Sequence, residues 1–281
     1  QESVQFSDLL ARDLDEQTRD EIKRDLHRTF PGHPFFLTEE GRQTLERVLH
    51  AFALYNPKVK YCQGLNFIAA MLLFVFSKSN ARQPAAAEHA FWALASAVDI
   101  LGIESYYAPG MVLLRADMQV LAVLLEQNVP KVSQLFKAHG VELTSICSEW
   151  CITWFAKSLP TMTMMRVWDV LFFEGFKVLF RVSVAILKHV ETDLLQCDDF
   201  EKLMARAKEC PRSVVQHNAL LKESFNKLQR MRRALLVHDR ELALSRVEEE
   251  DRELQKRREQ SRKKTAPVTP QSTKQALRNM A

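Results

Sequence analysis

Glycine is scarce in this chain, with 7 glycines among 281 residues, and each stands alone. The sequence contains no Gly-x-x-x-x-Gly-Lys loop and no Gly-x-Gly-x-x-Gly stretch. Such loops bring backbone N–H groups to the phosphates of a bound nucleotide. We therefore do not expect this chain to bind a nucleotide by itself or to carry a cofactor of its own.

Cysteine is also infrequent, and its pattern matches neither a metal site nor a disulfide framework. Five cysteines occur without a Cys-x-x-Cys pair, and no histidine stands at zinc-finger spacing near Cys147 and Cys151. Free thiols in a reducing compartment are the expectation. No signal peptide or transit peptide is recognisable. The longest apolar run, from Leu65 to Phe76, is too short to cross a bilayer. These features predict a cytoplasmic protein.

Charge of one sign does not dominate the body of the chain. Residues 1–226 hold 24 Lys and Arg against 27 Asp and Glu, whereas residues 227–281 hold 15 against 8. The near-neutral body gives no reason to expect a nucleic-acid partner. Arg230, Arg232 and Arg233 could contact anionic lipid, in a peripheral membrane association, or an acidic partner. A solvated helix face is the simpler interpretation of these three residues.

Apolar residues recur at helical spacing along most of the sequence, and no stretch alternates as a strand would. The chain is therefore predicted to be all-α. We expect a long helical segment from Thr144 to Pro160 and a loop from Gly102 to Gly110. One large domain is predicted over residues 1–235, and a charged helix that could form a short coiled coil over 236–264. A disordered tail is predicted over 265–281.

The first informative segment runs from Ile22 to Pro31. Ile22, Leu26 and Phe30 share one helical face, and Pro31 predicts that the helix ends at Phe30. Arg28 should therefore project from a helix end, three residues after Asp25. A surface ion pair with Asp25 or Glu21 is the ordinary interpretation of such an arginine.

The second segment, Tyr61-Cys62-Gln63-Gly64-Leu65-Asn66, directly precedes the long apolar run. The run should form a buried helix that starts at Gly64, so that Gln63 lies at its rim. A polar residue that only starts a helix is the ordinary interpretation of Gln63. An arginine and a glutamine presented together are nevertheless the pair that promotes GTP hydrolysis: the arginine stabilises charge on the transferring phosphate, and the glutamine orients the attacking water.

Together these segments resemble the TBC domain of Rab GTPase-activating proteins. The Ile-x-x-Asp-x-x-Arg motif of that family is matched by Ile22, Asp25 and Arg28, followed by Thr29-Phe30-Pro31. Its Tyr-x-Gln-Gly motif is matched by Tyr61, Gln63 and Gly64. The stretches 166–175, with Trp168-Asp169, and 180–182, Phe-Arg-Val, are similar to later family motifs. The resemblance spans roughly residues 15–235 and implies an all-helical domain.

The resemblance implies a role for each matched residue. Arg28 would be an arginine finger and Gln63 a glutamine finger, and both would be inserted into a GTP-bound Rab that carries the GTP and Mg²⁺. Asp25 would hold the Arg28 guanidinium, and Tyr61 and Gly64 would shape the loop and contact the Rab. The chain would then be an enzyme activator in vesicle trafficking, not an enzyme itself, recruited to membranes that carry its Rab.

The resemblance leaves two questions open. The alternative function is a catalytically silent Rab-binding scaffold of the same fold, although silent members are expected to lack one of the two fingers. The family usually has an Arg-x-x-x-Trp stretch ahead of the arginine motif, whereas here no Trp precedes Trp92 and the chain starts at Gln1. We therefore expect a truncated N-terminal start of the domain. The particular Rab, the organelle and the oligomeric state are not encoded in any motif.

Overall fold

The computed structural model describes residues 4–78, 83–228 and 233–265, and every regular element within these ranges is helical. The all-α prediction is thereby confirmed. The first eight helices are α1 (Phe6–Leu10), α2 (Glu16–Leu26), α3 (Pro34–Leu37), α4 (Glu39–Tyr55), α5 (Leu65–Lys78), α6 (Gln83–Leu101), α7 (Glu104–Tyr107) and α8 (Val112–Asn128). The other eight are α9 (Pro130–Ala138), α10 (Thr144–Ile152), α11 (Thr161–Glu174), α12 (Lys177–His189), α13 (Glu191–Leu194), α14 (Phe200–Glu209), α15 (His217–Lys222) and α16 (Arg233–Thr265). A 3₁₀ turn (Cys210–Ser213) precedes α15 and a π-helical turn (Glu223–Lys227) follows it.

Local sequence sets several of the helix starts. Asp15, Thr38 and Asp199 each lie at an N-cap, where the side-chain oxygen accepts a hydrogen bond from a backbone N–H of the first turn. Pro130 stands at the first position of α9, where the missing N–H costs no intrahelical bond. Gly140 follows the end of α9 with a φ of 66° and so ends it in the left-handed region.

The N-terminal half of the chain packs around α4. Helices α1, α2, α3 and α6 contact α4, and α5 contacts both α4 and α6. The helix α5 is apolar on nearly all sides, which suits an element that is covered by neighbours. Its first residue, Leu65, is fully buried, so the start of α5 is fixed close to the end of α2.

The C-terminal half packs around α8 and α12. Helix α8 contacts α7, α9, α10, α12 and α16, and α11 lies on α12. Trp150 and Trp154 are among the largest fully buried side chains, and Trp168 donates a 2.7 Å hydrogen bond from Nε1 to the Trp154 carbonyl. The segment after α10 is thereby fixed to α11.

Some helices end earlier than the sequence predicts. Helix α2 ends at Leu26 and not at Phe30: the N–H groups of Arg28 and Thr29 bond to carbonyls three residues back, and Phe30 takes a φ of 45°. The segment from 144 to 160 is helical only to Ile152, since Trp154 and Phe155 adopt left-handed φ values of 48° and 63°. The expected loop after Gly102 contains the short helix α7.

The charged C-terminal helix begins at Arg233, and its first half has one buried face, whereas most of its other side chains are exposed. Leu236, Ala243 and Val247 are buried against the domain, and α16 packs along α8. The division of the chain at residue 235 stays a prediction. Arg230, Arg232 and residues 266–281 lie outside the described residues. The solvated helix face expected for the two arginines, their alternative contact with lipid or an acidic partner, and the disordered tail therefore stay predictions.

Candidate functional site

Asp25 fixes the position of Arg28 immediately after α2. Nε and Nη2 of Arg28 both donate to Oδ1 of Asp25, at 2.7 and 2.6 Å. The Asp25 side chain is buried, whereas the Arg28 side chain is 50% exposed. Charge-assisted bonds of this length are stronger than neutral ones. The inner edge of the guanidinium is therefore bound by the protein, and the rest of the group faces solvent.

Tyr61 connects the second motif to the same carboxylate. Its hydroxyl donates a 2.6 Å hydrogen bond to Oδ2 of Asp25, so each oxygen of Asp25 serves one of the two motifs. Burial of Tyr61, with the hydrogen bond to the Asp25 carboxylate, raises the pKa of this phenol far above its usual value. Tyr61 therefore remains a hydrogen-bond donor at any physiological pH.

A second polar chain joins the motifs one layer deeper. The Thr29 hydroxyl donates to the Asp25 carbonyl at 2.6 Å and accepts from Nδ2 of Asn66 at 2.7 Å. Oδ1 of Asn66 in turn accepts from the backbone N–H of Gly64 at 3.0 Å. Sequence analysis assigned no hydrogen-bond partner to Asn66. The available signal was that Asn66 is the one polar residue early in an apolar run, because a buried amide needs hydrogen-bond partners.

Gly64 occupies a position that only glycine fits without strain. Its φ is 116°, a conformation that residues with a Cβ rarely adopt. A Cβ there would lie 3.2 Å from the Ile152 carbonyl oxygen, at the end of α10. The chain turns sharply here into α5, and the turn leaves Gln63 on the surface.

Gln63 is exposed, and no group in residues 4–78, 83–228 or 233–265 forms a hydrogen bond with its side-chain amide. Gln63 and Arg28 line the same surface recess of about 190 Å³, together with Asp25 and Tyr61. The recess brings together the two side chains that sequence analysis singled out. The remaining lining residues, Glu21 and Arg24, come from the last turns of α2.

A second recess of about 260 Å³ opens on the other side of Gln63. Gly64, Phe67, Met111 and Lys157 are among its lining residues. The ammonium of Lys157 lies 5.5 Å from the centre of the Phe67 ring and also pairs with Glu149. Sequence analysis missed Lys157, since it carries no motif and reaches the site only through packing of α10 near α5.

Cys62 lies between Tyr61 and Gln63 but has no properties of a nucleophile. The thiol is half-buried, and burial raises its pKa to about 11. At neutral pH it is therefore protonated. All five cysteines fall within the described residues, and each is unpaired.

The later motif residues support the domain and do not line the recess. Trp168 is buried against Trp154, and Asp169 forms an exposed ion pair with Arg166 at 2.9 Å. Arg181 donates to the Ser224 carbonyl at 2.8 Å and lies over the Phe225 ring. These contacts agree with the interpretation of Trp168-Asp169 as scaffold.

Comparison with known proteins accounts for this arrangement. The family model of the Rab-GTPase-TBC domain matches residues 1–195. The chain belongs to this family. Growth hormone-regulated TBC protein 1 of Xenopus laevis is 38% identical over 193 residues, which are 68% of this chain and 54% of that protein. TBC1 domain family member 2A of Mus musculus is 32% identical over 254 residues, which are 89% of this chain and 27% of that protein.

Solved TBC domains share the fold. The crystal structure of the Chlamydomonas flagellar RabGAP TBC domain is similar with a TM-score of 0.68 and 31% identity, covering 79% of this chain and 72% of that one. The Ypt/Rab-GAP domain of Gyp1p matches with the same TM-score at 20% identity, covering 78% of this chain and 77% of that one. The second similarity concerns the fold alone.

The chain spans about half the length of the Xenopus relatives it matches. Within the three described ranges, no helix combines the length and the apolar character that crossing a membrane requires.

Proposed function

We propose that this TBC domain accelerates GTP hydrolysis on a Rab-family GTPase by supplying Arg28 and Gln63 to the active site of its partner. The observation that carries the proposal is the shared recess: Arg28 is held by Asp25 and half exposed, and Gln63 stands beside it with an unbound amide. The chain acts as an activator of another enzyme. GTP and Mg²⁺ come with the partner, in its GTP-bound state.

The chemistry follows from what each side chain offers. The Arg28 guanidinium places positive charge where negative charge develops on the transferring phosphate, and the Gln63 amide can orient the attacking water with one donor and one acceptor. Because Asp25 already fixes the inner edge of the guanidinium, less side-chain entropy is lost on insertion. An arginine finger contributes roughly 10³–10⁵ in rate.

The surrounding residues have supporting roles in this proposal. Asp25 positions Arg28, Tyr61 locks Asp25 to the glutamine segment, and Gly64 lets the chain turn so that Gln63 faces the partner. The five free thiols are consistent with a reducing, cytoplasmic location, at membranes that carry the Rab.

The test is GTP hydrolysis by a panel of purified Rab GTPases with the unmodified chain and with Arg28→Ala and Gln63→Ala. We expect acceleration of one or a few Rabs, with a loss of roughly a thousandfold or more for Arg28→Ala. The matched controls are Lys23→Ala, an exposed cation of α2, and Gln43→Ala, an exposed glutamine of α4. Both should retain full activity.

A parallel binding measurement separates activator from scaffold. Loss of hydrolysis in Arg28→Ala with GTP-dependent binding retained supports the finger mechanism. Binding of a GTP-loaded Rab by the unmodified chain without any acceleration would make it a silent scaffold. Acceleration that survives both substitutions would contradict the proposed roles of Arg28 and Gln63.

A further inference from the structure

The second half of α16 is rich in Lys and Arg, and its residues from 252 to 261 are exposed. The first half is anchored: Arg240 donates to both oxygens of Asp117 at 2.7 and 2.6 Å, and Asp117 is completely buried. The Arg240 guanidinium also lies 3.9 Å from the centre of the Phe176 ring. Helix α16 is thus attached to the domain at Arg240 by a buried ion pair.

The helix leaves the domain beside the recess that contains Gln63. Asp251 forms a 2.8 Å ion pair with Arg115, in the first turn of α8, and Glu250 lies 3.7 Å from the same guanidinium. Met111, the residue immediately before α8, lines the recess together with Gln63 and Lys157. Residues beyond Asp251 therefore start next to the surface on which the partner is proposed to dock.

Residues 252–265, here called the basic segment, are strongly positive. The segment contains seven cations against two acids, Glu253 and Glu259. The cations are Arg252, Lys256, Arg257, Arg258, Arg262, Lys263 and Lys264. Residues 252–261 are exposed. Of the four acids that directly precede them, Glu250 and Asp251 are directed to Arg115, whereas Glu248 and Glu249 are exposed.

The composition of the basic segment determines the kind of contact it can make. The basic segment contains one large apolar residue, Leu254, and no Phe, Trp or Tyr occurs from 233 to 281. A hydrophobic groove or a coiled-coil partner would need an apolar stripe, and stacking on single-stranded nucleic acid would need aromatic rings. The basic segment can therefore make contact mainly through electrostatic attraction to an anionic surface.

We propose that the basic segment contacts an acidic face of the GTPase while that GTPase is docked at Arg28 and Gln63. This inference rests on the proposed function. At about 1.5 Å per residue the segment is about 20 Å long, which is comparable to half the diameter of a small globular GTPase. Because the segment starts beside the Gln63 recess, a GTPase bound there lies within its reach.

The physical effect is electrostatic steering. Complementary charge raises association rates by roughly 10–10³ and loses this effect as salt is added. The catalytic step itself does not involve the segment, so kcat should be unchanged. The location beside the recess favours the GTPase as the occupant over a lipid surface or a nucleic acid, which the charge alone would also fit.

The experiment measures acceleration of a responsive soluble Rab, free of membranes, by the triple variant Lys256→Glu, Arg257→Glu, Arg258→Glu. We expect kcat/KM to fall roughly tenfold or more in low salt with kcat unchanged, and the difference to disappear near about 0.5 M salt. The converse variant, Glu253→Lys with Glu259→Lys, should raise kcat/KM. The matched control carries the same charge change at exposed positions elsewhere, as Lys131→Glu, Lys208→Glu and Arg212→Glu; it should change kcat/KM by less than about threefold.

The outcomes are distinguishable. If the unmodified chain accelerates the Rab and the triple variant does so with the same KM, the inference is wrong and the proposed function stands. If the unmodified chain accelerates no Rab, both fail. If the triple variant instead loses only sedimentation with phosphatidylserine vesicles or binding to duplex RNA, the segment serves that surface and the inference is overturned.

Discussion

Tyr61 donates a 2.6 Å hydrogen bond to Asp25 across 36 residues of sequence, and this bond attaches the glutamine segment to the arginine segment. Asp25 uses its other oxygen for Arg28. The carboxylate thus bonds directly to Arg28 of the first motif and to Tyr61 of the second. Any change in its bonding should affect the relative position of Arg28 and Gln63 before it affects the rest of the domain.

Tyr61→Phe tests this relationship. The substitution keeps the ring and removes a buried donor to a charged acceptor, which is expected to lower the free energy of unfolding by roughly 1.5–3 kcal/mol. We also expect kcat for GTP hydrolysis by the Rab, stimulated by this chain, to fall about tenfold, since Gln63 loses its connection to Arg28. Urea unfolding and single-turnover hydrolysis give the two values.

The control for loss of a tyrosine hydroxyl is Tyr55→Phe, since the Tyr55 ring packs on Phe91 and Trp92 away from the recess. It should change stability by less than about 0.5 kcal/mol. Equal kcat values for Tyr61→Phe and the unmodified chain would contradict a positioning role for Tyr61.

Gly64→Ala should lower both the stability of the domain and its GTPase-activating activity. The φ of 116° and the 3.2 Å approach to the Ile152 carbonyl oxygen both oppose a Cβ. Backbone strain of this kind costs roughly 1–3 kcal/mol, and the turn that presents Gln63 should be displaced. Thermal unfolding and stimulation of GTP hydrolysis by the Rab should both report the loss.

Substitutions of two other glycines separate the effect of the positive φ from the effect of the close contact with Ile152. Gly32→Ala meets no atom within 4 Å and should be nearly neutral, whereas Gly102→Ala has open space but a φ of 62°. If Gly64→Ala and Gly102→Ala cost the same free energy of unfolding, strain alone is responsible and the Ile152 contact contributes nothing.

Arg240→Ala should destabilise the whole domain. The change leaves the buried carboxylate of Asp117 without its cation, and breaking one side of a buried pair costs roughly 3–5 kcal/mol. Burial raises the pKa of Asp117, and the bonds from Arg240 oppose that rise. Chemical unfolding monitored by tryptophan fluorescence measures the loss.

The matched control for that prediction is Arg246→Ala, an exposed arginine on the same helix, which should be within about 0.5 kcal/mol of the unmodified chain. The double variant Asp117→Leu with Arg240→Met should cost less than Arg240→Ala, since no charge stays buried. An Arg240→Ala protein as stable as the control would mean that α16 is not anchored by this pair.

Cys62 should react slowly with iodoacetamide in the native protein. Its pKa is raised to about 11 by burial, so at pH 8 about one thiol in a thousand is the reactive thiolate. The rate should therefore rise about tenfold per pH unit from about pH 8 to pH 10. Mass spectrometry of the Cys62 peptide follows the reaction, and circular dichroism checks that the fold persists.

Alkylation in urea provides the reference for Cys62. There the thiol should titrate near its ordinary value of about 8.5, and the rate should level off above it. A native rate that levels off below about pH 9 would contradict the raised pKa.

The sequence alone determined the helical class and the two motifs. Apolar spacing identifies the faces that must be buried, and Gly64 at the start of an apolar run predicts the turn that exposes Gln63. Asp25 as the partner of Arg28 was also predictable, because residues three apart on a helix are neighbours. These are local relationships, and local spacing encodes them.

Only the tertiary structure decided which polar groups, distant in sequence, form hydrogen bonds or ion pairs with each other. Nothing in local spacing connects Thr29 with Asn66, or Asp117 with Arg240, which are 37 and 123 residues apart. Long-range contacts also lie just beyond the early ends of α2 and α10, where Asn66 bonds to Thr29 and Trp168 bonds to the Trp154 carbonyl. A buried polar group must find a partner, but its identity depends on how the helices pack, which is a property of the whole chain.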